Sequence, residues 1–156
     1  MKKGSTLFLK AVISLIGLAV LALLLVGLPI LIKSEWTGDF DYGLIFVGLY
    51  VPAIPFFMAL HQALKLLAYV DRNTAFSDLS VKALKKIKQC AFTISALFAA
   101  GMPYIFKVAE RDDAPGVALI GFIIIGASFV IAIFAAVLQT LVQNAVEIKS
   151  ENDLTV

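Results

Sequence analysis

Four apolar runs, each long enough to cross a bilayer, leave this chain few choices of fold. A spanning helix needs about 20 apolar residues, because nothing in hydrocarbon satisfies a backbone polar group except the segment's own hydrogen bonds. Runs of this kind cover residues 11–32, 43–70, 89–106 and 116–146. Apolar residues make up 61% of the chain and charged ones 15%, against about half and a quarter in a soluble domain. The expected architecture is an all-α integral membrane protein, a single domain of four transmembrane helices.

The longest polar interruption, residues 71–88, lies midway along the chain. Ser77 and Asp78 are residue types that cap a helix start, and Asn73 is a third such acceptor. After them Leu79, Val81, Leu84 and Ile87 recur near helical spacing, with Lys82, Lys85, Lys86 and Lys88 on much of the remaining surface. The third helix is therefore expected over about 79–106, beginning as a basic amphipathic segment after a loop at 71–78. Phe76 suits a hydrophobic staple onto the first turn.

Charge sets the orientation. Ten Lys and Arg residues, from Lys2 and Lys3 through the 71–88 stretch to Lys149, fall on one side, and Lys33, Lys107 and Arg111 fall on the other. The positive-inside bias makes both termini and the central loop cytoplasmic. Lys2, Lys3 and Lys10 ahead of an apolar run resemble a signal peptide. The run is too long for one, however, and Leu28-Pro29-Ile30 carries no small-x-small cleavage pattern, so a retained first helix is expected. Trp36 and Tyr42 suit the opposite headgroup level. Pro52 and Pro55 predict a kink in the second helix, and Pro115 suits the first position of the fourth.

The segment Ala75-Phe76-Ser77, followed by Val81, Leu84 and Ile87 between the second and third apolar runs, resembles a family of small bacterial membrane proteins catalogued as a domain of unknown function. That resemblance implies a multi-pass protein of the bacterial cytoplasmic membrane, often encoded beside a small helix-turn-helix regulator. It carries no catalytic residues with it.

Two candidate sites follow. At the loop, Phe76, Ser77, Lys82, Lys85 and Lys86 form either a docking surface for a cytoplasmic protein or a collar for anionic lipid headgroups. Deeper in the apolar runs, His61, Gln62 and Lys65 on the second helix and Gln139, Gln143 and Asn144 on the fourth are expensive in lipid unless they pair or meet water. They make either a small polar pocket or interhelical hydrogen bonds. Ser128, Ala132, Ala136, Thr140 and Asn144 form a small-residue repeat suited to close helix approach. The oligomeric state stays open.

No enzyme signature, metal-ligand spacing or cofactor motif is present, and one cysteine, Cys90, excludes an internal disulfide. A net charge of +2 supplies no argument for direct nucleic-acid binding. The expected function is non-enzymatic: a regulatory binding partner or inhibitor of a small cytoplasmic DNA-binding regulator. The alternative is an immunity or small transport protein that uses the polar pocket.

Overall fold

The computed structural model describes residues 3–35 and 40–154. Trp36, expected at the headgroup level, lies outside the described residues. α1 (Lys3–Ala22) passes through a π-helical turn, Leu23–Gly27, into α2 (Leu28–Glu35). α3 (Phe40–Tyr50) and α4 (Ala53–Asp71) follow, then α5 (Asp78–Arg111) and α6 (Pro115–Leu154). Among the described residues, four spans are long and apolar enough to cross a membrane: Gly4–Ile30, Phe46–Asp71, Asp78–Arg111 and Pro115–Asn152.

Each of these helices outruns its apolar stretch. The first begins at Lys3 rather than near residue 11, and α5 continues through the charged segment to Arg111. α6, whose apolar run ends at 146, stays helical to Leu154. Apolar runs mark where lipid can be met, but a backbone already in helical register keeps its hydrogen bonds beyond the lipid. At 34 and 40 residues, α5 and α6 measure roughly 50 and 60 Å, well beyond the ~30 Å core. The α5–α6 pair therefore projects from the hydrocarbon.

Packing follows chain order. α1 lies on α4, α4 on α5, and α5 on α6, with α3 also against α5; the α5–α6 interface is the largest. α4 and α6 share no packed interface among the described residues. Small side chains make these close approaches possible: on α5 Ala83 and Ala91 are nearly inaccessible, and on α6, at its seam with α5, Ala135 is nearly inaccessible and Ala132 completely so. In lipid no hydrophobic force drives one helix onto another, so close van der Waals approach has to do it, and small residues allow it. Gly121 shows how tight the seam is, since an added Cβ would meet the Met102 sulfur at 2.8 Å. The Ser95 hydroxyl crosses the seam toward the Ile125 carbonyl at 3.4 Å. The small-residue repeat of α6 enters this seam at Ser128 and Ala132, but Thr140 and Asn144 at its far end are exposed.

Prolines break two spans, and the breaks meet. Leu28 N–H reaches back to the Leu23 carbonyl, a π-type step, and Pro29 has no N–H to offer the Leu24 carbonyl. The Tyr50 hydroxyl supplies the missing donor, at 2.7 Å from the Leu24 oxygen. Tyr50 is itself the last residue of α3, where Val51 and Pro52 interrupt the second span. The expected kink falls at this two-residue turn, with α4 restarting at Ala53. The aromatic hydroxyl ties the two irregular points together.

Tyr50→Phe keeps the ring and deletes this donor. It is expected to lower unfolding free energy in detergent by about 1–2 kcal/mol, the cost of a buried carbonyl left without a partner. Unchanged stability would mean that the Leu24 carbonyl finds another donor.

Candidate functional site

The end of the molecule that carries most of the Lys and Arg is assembled by a helix stop, a six-residue turn and a helix start. α4 ends at Asp71 in a Schellman arrangement: Asn73 N–H donates to the Val70 carbonyl at 3.1 Å and Thr74 N–H to the Tyr69 carbonyl at 2.8 Å. The geometry needs a left-handed residue, and Asn73 takes it at φ 58°. Asn73 therefore closes α4 and does not cap α5, which corrects its reading as a helix-opening acceptor. The far end of α5 repeats the device with Asp113 at φ 51°, before Pro115 opens α6.

Ser77 holds the N-cap position of α5 with extended backbone, yet its hydroxyl makes no capping bond. It donates instead to the Thr74 carbonyl at 2.6 Å, and the fully buried Ser80 hydroxyl approaches the same oxygen at 3.3 Å. The Thr74 hydroxyl in turn donates to Tyr69 at 3.0 Å. These bonds fasten the turn to both helices and preset the direction in which α5 leaves. An ion pair adds α1 to the assembly, with Lys10 Nζ 2.7 Å from Asp71 Oδ2. Asp71 sits at the negative end of the α4 dipole, where a carboxylate is disfavoured, so the cation offsets an adverse position. Both side chains are partly exposed, which limits the pair to about 1 kcal/mol or less.

On this fixed frame, Lys82, Lys85 and Lys86 are exposed and Ser77 is half-buried. Ser80, Ala83 and Leu84 turn inward. Phe76 is 61% exposed, so it does not staple the first turn as its position predicted; it stands clear beside Leu79, which is 52% exposed. The result is a surface with two large apolar side chains and three ammonium groups at the head of α5. Sequence reasoning overlooked Leu79, which counts as core by its spacing and proves to lie on the outer face.

The six residues of the predicted polar pocket are distributed over helices that do not pack on each other. His61 and Lys65 are exposed on α4 and Gln62 is half-buried there; Gln143 and Asn144 are exposed on α6. Gln139 is half-buried, and its Oε1 has no hydrogen-bond partner among the described residues. Two threonines in the spans are satisfied within their own helix: the Thr93 hydroxyl donates to the Gln89 carbonyl and that of Thr140 to the Ala136 carbonyl, each one turn back.

Asn73 gives the sharpest check on the turn. Asn73→Val places a β-branched side chain at a left-handed position and should cost about 1–2 kcal/mol, while Asn73→Gly should be neutral or slightly stabilising. Thermal unfolding of the two variants in the same detergent distinguishes this from simple loss of the amide side chain, which would make both equally unstable.

Comparison with known proteins places the chain among relatives that themselves lack an assigned activity. Residues 9–156 match the family model described as "Protein of unknown function (DUF2975)". An "Uncharacterized membrane protein YoaS" of Bacillus subtilis (strain 168) is 55% identical over 160 residues, covering 100% of both chains. No solved structure matches. With nearly the whole chain matched, and with four membrane-spanning helices of its own, this protein belongs to the DUF2975 family of membrane proteins.

Proposed function

We propose that the protein is a membrane-held binding partner, and specifically an inhibitor, of a small cytoplasmic DNA-binding regulator. In this reading it resides in the bacterial cytoplasmic membrane with both termini and the 72–77 turn in the cytoplasm. The observation that carries it is the exposure of Phe76 and Leu79 among Lys82, Lys85 and Lys86 on a hydrogen-bonded turn. An acidic or amphipathic segment of a partner gains charge steering from the lysines and an apolar anchor from Phe76. A rigid turn lowers the ordering cost of such binding. The resemblance noted from residues 75–87 makes a helix-turn-helix regulator the named candidate, and occupying it at the membrane would keep it from DNA. The immunity or transport reading draws less support, because α4 and α6, which carry its polar residues, share no packed interface among the described residues.

Gentle solubilisation and affinity purification test the proposal. Wild-type protein should retain a soluble DNA-binding protein, and Phe76→Ala combined with Lys82→Gln, Lys85→Gln and Lys86→Gln should release it while inserting normally. A Lys82→Cys probe in a Cys90→Ala background should react with impermeant thiol reagents after permeabilisation alone. If the lysines serve lipid headgroups, no soluble partner is recovered and deleting the gene leaves the regulator's target transcripts unchanged.

A further inference from the structure

The opposite end of the molecule holds a different kind of site. A cleft of about 200 Å³ opens between α3, α5 and α6, walled by apolar side chains such as Leu49, Leu97 and Ile120. It exists because side chains are missing: Gly48 on α3 and Gly101 on α5 both line it, and a Cβ built on either meets nothing within 4 Å. Several of its walls are exposed, so it communicates with the surrounding hydrocarbon and not with a sealed interior. The volume is well below the 300–1,000 Å³ typical of pockets for compact organic ligands and a little above that of a cavity that takes benzene, about 150 Å³. A single slender chain fits that size.

The cleft also has a polar rim. Tyr104 lines it, and one turn further along α5 the exposed Lys107 ammonium stands 5.6 Å from the Tyr104 ring centroid. That distance is within cation–π range, so the ring holds the charge at the mouth. From Leu97, the lining residue of α5 furthest from Lys107, to Lys107 is ten residues of helix, roughly 15 Å, which equals half the hydrocarbon thickness. A charge at headgroup level and an apolar slot one leaflet deep match the two parts of a lipid.

We propose that this cleft binds one acyl chain of an anionic phospholipid, with the headgroup phosphate paired to Lys107. The Lys107 contact gives the site its headgroup preference, and Gly48 and Gly101 give it its depth. It is independent of the surface at the head of α5 and needs no soluble partner.

Photo-crosslinking in vesicles tests it, using phosphatidylglycerol or phosphatidylcholine with a diazirine in the acyl chain and mapping of adducts by peptide mass spectrometry. Phosphatidylglycerol adducts should concentrate on residues 97–105 and 117–124, exceeding phosphatidylcholine adducts there about five-fold, the effect of one lysine near an anionic headgroup. Lys107→Gln should keep the adducts in the cleft and abolish the preference. Gly101→Leu should clear the cleft while leaving labelling of the exposed α6 residues Val130 and Val137 unchanged. Gly48→Leu, from the facing wall, should act alike if the first variant folds poorly. Labelling spread evenly over exposed helix surfaces, or equal yields of the two lipids in wild-type protein, would overturn the assignment.

Discussion

Ala132 is fully buried and Ala135 nearly so where α6 lies on α5, and on this close approach of two helices the rest of the molecule depends. Lipid offers helices no hydrophobic reward for meeting, so stability beyond the single helix comes from how closely backbones approach. α5 has that close seam with α6 and also carries α4 and α3, whereas α1 reaches the assembly through α4. The basic surface and the lipid cleft are both built on α5, at its opposite ends. Their relative positions are therefore fixed by one long helix and not by a closed bundle.

The irregular backbone shows a second constraint at work. A carbonyl without a donor is costly in hydrocarbon, and the departures from helical register at Pro29, Asp71 and Arg111 each find a donor. Pro29 and the π turn strand the Leu24 carbonyl, and Tyr50 reaches it from another span. The two helix ends at Asp71 and Arg111 are closed by the same left-handed device, once with Asn73 and once with Asp113. Short polar residues take this conformation at tolerable cost, which lets the turns remain brief. Brief, hydrogen-bonded turns in turn hold Phe76 and the lysines in a defined arrangement instead of on a loose loop.

The four spans were legible because hydrocarbon thickness converts directly into residue counts. The helix ends were not, since Arg111 and Leu154 lie in polar sequence that hydropathy cannot distinguish from loop. The composition of the candidate surface was also readable: Lys82, Lys85, Lys86 and Phe76 stand exposed in the structure. Its geometry was not. Phe76 has a staple's position but lacks its contact, and Asn73 has a capping residue's chemistry but closes the preceding helix. The Lys10–Asp71 pair joins residues far apart in sequence, with no local pattern to announce it. The polar residues of α4 and α6 suggested a shared pocket because equal depth was the available clue, and depth says nothing about which helices are neighbours.

The order of packing is the claim on which these conclusions rest, and paired-cysteine cross-linking in a Cys90→Ala background measures it directly. Phe92 and Phe129 face each other across the α5–α6 seam with ring centroids 5.9 Å apart, so Phe92→Cys with Phe129→Cys should cross-link readily in membranes. Gln62→Cys with Gln139→Cys, which would join α4 to α6, should remain uncross-linked under the same conditions. Efficient coupling of the second pair would contradict the account, because it would close the four spans into a bundle in which the polar residues of α4 and α6 meet.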